Sequence, residues 1–218
     1  MTPSSSLSSV PLFAGLAREE IEEIERRTRL RRYRKNTVII KAGDESSTLY
    51  LLLSGRAEAY VEDEAGKALV LREFAPGDHF GELALLGGTV RTASVVTLTE
   101  CEARLLPGSA FQPLVRSRPE LAVHLIGQLA RRLVECTDQV RDLGLLSAYE
   151  RIRKVLTDSA TRVDDRMITP CMSQQDLADR VGCSRETVSR IIRDLRIGGY
   201  VAFQEKRFVI QRDLPPRW

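Results

Sequence analysis

The spacing of apolar residues changes character several times along this chain. A polar, Ser-rich stretch over residues 1–9 is expected to be disordered. From Pro11 onward, Leu12, Leu16, Ile21 and Ile24 recur at helical intervals among Glu and Arg and predict a short amphipathic helix. The basic stretch Arg26 to Lys35 that follows reads as a solvated face. Between Thr37 and Leu106 the pattern shortens to the β runs TVIIKAGD, TLYLLLSG, AEAYVEDEAG, KALVLREFAPGD and SVVTLTECEARLL, with Gly43, Gly55, Gly66 and Gly77 at their ends. Short strands at this regular spacing predict an antiparallel sandwich or barrel, here a β-roll.

Pro107 closes the β region, and Pro119 opens a helical run to about Leu143 with no internal proline. Within it Ala122, Ile126, Leu129, Leu133, Cys136, Val140 and Leu143 alternate spacings of four and three, which is a heptad seam. Such a narrow stripe suits a partner helix, and the simplest partner is a second copy. The expectation is a homodimer with Ile126, Leu129, Leu133, Cys136, Val140 and Leu143 at the interface. The alternative is docking of the stripe on the β-roll of the same chain. A further helical run carries Tyr149, Ile152, Val155 and Leu156, which places a boundary near Gly144. The expected fold class is α+β, with an effector-binding β-roll over 1–118, a dimerisation helix over 119–144 and a winged helix-turn-helix over 145–218.

The segment QQDLADRVGCSRETVSRIIR, Gln174 to Arg193, meets each constraint of a helix-turn-helix. Ala178 is small where two helices cross, Gly182 sits where the turn needs a positive φ, and Leu177, Val181, Val188 and Ile191 form the locking face. Ser173 with Asp176 caps the first helix and Ser184 caps the second. That cap puts Arg185 and Glu186 in the first turn of the second helix, with Arg190 on the same face as Glu186. Arginine can bind guanine O6 and N7, and glutamate can accept from cytosine N4. The other reading of Glu186 and Arg190 is a surface i,i+4 ion pair. Gly198-Gly199 followed by YVAFQEKRFVIQ predicts a β-hairpin wing with a Glu205-Lys206-Arg207 tip. The DNA-facing set is Ser173, Gln174, Ser184, Arg185, Glu186, Ser189 and Arg190, with Lys206 and Arg207 on the wing.

Composition adds limits more than direction. The net charge is only +3, but residues 146–218 hold 14 basic and 10 acidic side chains, so the positive charge gathers where the helix-turn-helix lies. No apolar run reaches the roughly 18 residues of a membrane span and no leader pattern opens the chain, which predicts a cytoplasmic protein. Cys101, Cys136, Cys171 and Cys183 are scattered without a CxxC pair, and with His79 and His124 they suggest no metal site. No paired acid, nucleophile or nucleotide loop supports an enzyme.

After the turn PGDHF, the segment GELALLGGTVRTASV, Gly81 to Val95, has the chemistry of an anion site. Arg91 can neutralise a phosphate, small residues let backbone N–H groups approach it, Thr92 adds a hydroxyl donor and Glu82 can accept from a sugar hydroxyl. A buried Glu82–Arg91 ion pair in a ligand-free roll is the other reading.

CSRETVSR resembles the recognition helix of CRP/FNR transcription regulators, and the order of β-roll, long helix and winged helix resembles that family over nearly the whole chain. The Gly-Glu pair with the Arg-Thr-Ala triplet likewise resembles the phosphate-binding cassette of cyclic-nucleotide-binding domains. The resemblance implies that Arg185, Glu186 and Arg190 read bases in a palindrome with TGTGA-like half-sites, and that RNA polymerase is a partner. It implies that Glu82 contacts the ribose 2′-OH, that Arg91 and Thr92 hold the cyclic phosphate, and that Gly81, Leu83 and Ala84 supply backbone. Cys136 and Thr137 match the positions where the long helix closes over the base, with Arg132 one turn earlier. Cyclic-AMP-binding relatives have two adjacent hydroxyls there, and Cys136 departs from that pattern, since a thiol is a poor donor. The expected effector is cAMP, with cGMP and cyclic di-GMP left open. Rival readings are a redox or gas sensor on the same scaffold, using Cys136 or a haem on His79 or His124, and a ligand-independent regulator.

Overall fold

The computed structural model describes residues 6–164 and 166–217. The chain divides into two compact units, residues 1–61 with 71–133, and residues 62–70 with 134–218.

The first unit starts with two short 3-10 turns, Leu7–Ser9 and Pro11–Phe13, and helix α1, Arg18–Arg26. This corrects the expectation of disorder up to residue 9 for its described part. Leu7, Val10, Leu12 and Phe13 are fully buried, and the Leu7 N–H donates to Glu25 Oε1 at 2.6 Å. Isolated apolar residues in a serine-rich context do not show a periodicity, so burial by tertiary packing left no sequence signal. Residues 1–5 lie outside the described residues.

The β-roll consists of β1 (Arg29–Tyr33), β2 (Val38–Ile40), β3 (Thr48–Ser54), β4 (Ala57–Glu62), β5 (Ala68–Phe74), β6 (His79–Phe80), β7 (Ser94–Thr97) and β8 (Cys101–Pro107). They form two four-stranded sheets, ordered β1-β8-β3-β6 and β2-β7-β4-β5. The pairs β1–β8, β3–β8, β3–β6, β2–β7 and β4–β7 are antiparallel. Strand β1 is an edge, and its exposed arginines are the basic stretch seen in the sequence; charge at an edge discourages pairing with another chain.

Strand β3 explains why TLYLLLS is almost continuously apolar: both faces are covered. Leu49, Leu51 and Leu53 pack with Leu106, Phe111, Leu121 and Leu125, while Leu52 packs between the sheets with Phe74, Phe80 and Val95. Two helices absent from the hydrophobic reading, α2 (Glu82–Gly87) and α3 (Gly108–Ser117), flank this core. Helix α4, Pro119–Leu145, starts at the proline the sequence marked. Its first turns present Leu121, Leu125 and Leu129 to the roll core, a stripe one residue out of phase with the Ala122–Ile126 register. Leu129 thus packs against its own roll, unlike its place in the expected seam. Ile126, Leu133, Cys136, Val140 and Leu143 remain exposed.

In the second unit, α5 (Ala148–Ser159) begins with a reciprocal cap: Ser147 Oγ accepts from the Glu150 N–H at 3.2 Å and Glu150 Oε2 accepts from the Ser147 N–H at 2.8 Å. Strands β9 (Thr161–Val163) and β10 (Arg166–Ile168) follow, then helices α6 (Gln174–Val181) and α7 (Arg185–Ile197), then β11 (Val201–Gln204) and β12 (Arg207–Ile210). The sheet order is β11-β12-β10-β9, so the expected wing hairpin is joined by a second hairpin. Ile152, Leu156, Leu177, Val188, Leu195 and Phe208 form a core that clamps the three helices onto this sheet. Among the described residues no helix is long and apolar enough to cross a membrane.

Candidate DNA interface and effector site

Helix α6 starts where Ser173 Oγ accepts from the Asp176 N–H at 3.1 Å and Asp176 Oδ2 accepts from the Ser173 N–H at 2.7 Å. It stops at Gly182, whose φ of 65° is left-handed. A side chain there would be strained in backbone and would also stand 3.0 Å from Leu143. Ser184 Oγ accepts from the Thr187 N–H at 3.2 Å and starts α7. Leu177, Ala178, Val181, Val188 and Ile191 are buried, as the locking face requires.

The opposite face of α7 is polar and open: Ser184, Arg185, Glu186, Ser189 and Arg190 are exposed. Among the described residues no ion pair joins Glu186 to Arg190, so that alternative is not formed. Hydrogen bonding at its own backbone and from the Ser184 hydroxyl holds the Glu186 carboxyl below its usual range, so it stays an acceptor. Ser173 and Gln174 are half-buried at the start of α6, and Lys206 and Arg207 are exposed at the wing. The wing turn is Glu205-Lys206, with φ of 49° and 60°, and Arg207 already begins β12. Arg193 was not singled out in the sequence; it is exposed one turn beyond Arg190 on the same face, a position the i,i+3 spacing marks.

In the β-roll, Gly81 takes a φ of 90° and precedes α2, whose first residue is Glu82. A Cβ at Gly81 would lie 2.4 Å from Arg91 Nη1 and 2.9 Å from Thr48 O, so only glycine fits. Glu82 is 2% exposed and Arg91 3% exposed, although both are charged. They do not pair with each other. Glu82 Oε1 forms an ion pair with Arg132 of α4, whose Nη2 also donates to His79 O at 2.7 Å. Arg91 turns inward: Nη1 donates to Gly81 O and Nη2 to Thr48 O, each at 2.7 Å. Burial pulls the Arg91 guanidinium below its usual range, against the opposing pull of Tyr50, Glu82 and Asp44. Ala84 is buried, whereas Leu83 and Thr92 are exposed. Cys136 and Thr137 belong to the second unit and lie one turn further along α4 than Arg132.

Two buried charged groups here each leave an atom without a hydrogen-bond partner, Arg91 Nε as a donor and Glu82 Oε2 as an acceptor, and the neighbouring His79 leaves Nε2. A ligand offering an anion and a hydroxyl proton would satisfy both, and a cyclic nucleotide has that pair of groups.

His79 has a part the sequence did not reveal. Burial, helped by the Arg132 and Arg72 charges, lowers its pKa from 6.5 to about 3, so the folded roll keeps it neutral. The unfolded chain takes up the proton near pH 6.5 and the folded chain only near pH 3, so this group's contribution to stability is complete above 6.5 and falls as pH drops through that window. The loss approaches about 1.4 kcal/mol per pH unit. Denaturation of the wild type and of His79→Gln between about pH 7 and pH 4 should show the flatter profile in the variant.

The architecture and the two sites define a regulator that couples a cyclic-nucleotide-binding fold to a winged helix-turn-helix. The cyclic nucleotide-binding domain family matches residues 30–118, and the Crp-like helix-turn-helix domain family matches residues 127–215. A cAMP-activated global transcriptional regulator CRP from Pasteurella multocida is 33% identical over 187 residues, covering 83% of this chain and 89% of that protein. A cAMP-activated global transcriptional regulator, Vfr, from Pseudomonas aeruginosa is 32% identical, covering 83% of this chain and 88% of Vfr. Among solved structures, the c-di-GMP responsive global regulator CLP of Xanthomonas campestris superposes with a TM-score of 0.80 at 27% identity, covering 89% of this chain and 99% of CLP. The chain belongs to the CRP/FNR family of DNA-binding transcription regulators.

Proposed function

We propose that the protein is a cytoplasmic homodimer that binds a cyclic nucleotide, cAMP foremost, in its β-roll and reads a palindrome with TGTGA-like half-sites through α7, with no catalytic step. The observation that carries the effector half is the pair of orphaned buried atoms, Arg91 Nε and Glu82 Oε2. Cyclic AMP is favoured because the curated relatives are described as cAMP-activated. Cyclic di-GMP is the second reading, favoured by the likeness to CLP. The exposed apolar stripe Ile126, Leu133 and Val140 supports a partner helix, and RNA polymerase is the natural partner of a regulator seated on DNA.

A bound nucleotide supplies a phosphate anion and a sugar hydroxyl. Arg91 Nε would donate to the first and Glu82 Oε2 accept from the second. Arg132 then shares Glu82 with that hydroxyl, so the grip of α4 on the roll changes with occupancy. Effector control of this kind extends only as far as the difference in affinity between the two states.

On the DNA side, Arg185 and Arg190 are read as base contacts and Lys206 and Arg207 as phosphate contacts. Twofold symmetry would set the half-sites one helical turn apart, roughly 34 Å. Selection from random duplexes should yield a palindrome for the wild type. Arg185→Ala or Arg190→Ala should lose about 1–3 kcal/mol and relax one position, whereas Lys206→Ala should weaken all sequences alike and lower the salt dependence. A non-palindromic selection, or uniform loss in the arginine variants, would refute this assignment.

A further inference from the structure

One polar side chain from outside the glycine-rich segment reaches the same guanidinium. Ser46, in the loop between β2 and β3, accepts a hydrogen bond at Oγ from Arg91 Nη2 at 2.9 Å. The backbone fastens this loop to the same residue: the Arg91 N–H donates to Asp44 O at 2.9 Å, and the Gly43 N–H donates to Arg91 O at 2.8 Å. Among the described residues no carboxylate forms an ion pair with Arg91, whose partners are two carbonyls and this hydroxyl. The guanidinium is 3% exposed as a residue, and its Nε, on the edge shared with Nη2, has no partner. A buried cation whose hydrogen bonds all go to neutral acceptors has no directly paired counter-charge, since Glu82 and Asp44 act on it only through space.

Ser46 itself is exposed, and its Oγ serves only as an acceptor in this arrangement. A hydroxyl has one proton to give as well as lone pairs to offer. We propose that Ser46 is a further anion-binding residue of the effector site, holding Arg91 Nη2 through a lone pair and donating its proton to the phosphate that Arg91 Nε receives. The ligand class is a phosphodiester monoanion. This assignment rests on the cyclic-nucleotide reading above. Its contribution grows when the anion arrives, because an O–H···O⁻ bond is charge-assisted and about twice as strong as a neutral one.

The test is calorimetric titration of the full-length wild type, Ser46→Ala and Ser46→Thr with cAMP, cyclic di-GMP and inorganic phosphate, with 31P spectra of whichever probe binds. Ser46→Ala should weaken every phosphate-bearing probe about tenfold and move the bound 31P resonance, while Ser46→Thr stays within about twofold. The melting temperature of the ligand-free protein should fall slightly in Ser46→Ala, which removes the acceptor of Arg91 Nη2, and hold in Ser46→Thr. Unchanged affinity in Ser46→Ala, or a loss of affinity that leaves the bound 31P resonance in place, overturns the proposal in favour of a structural brace. Wild-type protein that binds inorganic phosphate but neither nucleotide removes the nucleotide reading, and a tenfold loss for phosphate in Ser46→Ala then still supports the anion role. Wild-type protein that binds none of the probes overturns both.

Discussion

Arg132→Ala should destabilise the β-roll by about 3 kcal/mol, because it leaves a carboxylate buried without its partner. The Glu82 side chain is 3% exposed and the Arg132 side chain 17%, so the ion pair between them is shielded on the carboxylate side and slightly open on the other. That opening places the expected loss at the lower end of the range for broken buried pairs. The same substitution removes the Nη2 bond to His79 O. Replacing both partners, Glu82→Gln with Arg132→Met, should recover most of the stability, since two neutral groups of similar size carry no uncompensated charge. Denaturant unfolding of the two variants reads this directly. The chain has two compact units, so the transition belonging to the roll must be followed separately. A loss under about 1 kcal/mol in Arg132→Ala would mean that the pair does not hold α4 to the roll.

Phe208→Ala should cost the second unit about 3–5 kcal/mol, the usual range for emptying a buried aromatic site. Phe208 is fully buried on β12, with the Phe203 ring centroid 4.8 Å away. Its backbone is tied to β10's end, where the Phe208 N–H donates to Thr169 Oγ1 and the Thr169 N–H donates to Phe208 O, both at 3.0 Å. Loss of this ring should uncouple the wing from α6 and α7 and abolish sequence-specific footprinting. Effector binding should survive, because the residues of the effector site in the roll pack around a separate core. Joint loss of both activities would contradict the independence of the two cores.

The helix-turn-helix was legible because each of its constraints is local: Ser173 and Ser184 at the caps, Gly182 at a left-handed turn, and an apolar face at helical spacing. The long helix was legible in extent, since Pro119 marks its start. Its face was not, because Leu121 and Leu125 answer to the roll, and tertiary packing set a phase that a heptad count cannot see. The short helices α2 and α3 were hidden by glycine and by Pro113, residues that read as breakers. In the effector site, sequence chemistry singled out Glu82 and Arg91 but left open a bond between them. The actual partners, Arg132 at 50 residues' separation and Ser46 at 45, are brought in by topology that no spacing rule encodes.

Fluorescence anisotropy of a palindromic duplex with TGTGA-like half-sites, titrated with full-length protein with and without saturating cAMP, cGMP or cyclic di-GMP, separates nucleotide-controlled from constitutive DNA binding. Coupling of about 1–3 kcal/mol is the usual size for such regulation, so one nucleotide should tighten binding by about 5- to 150-fold. Binding of equal strength with every nucleotide and with none would contradict effector control through the β-roll.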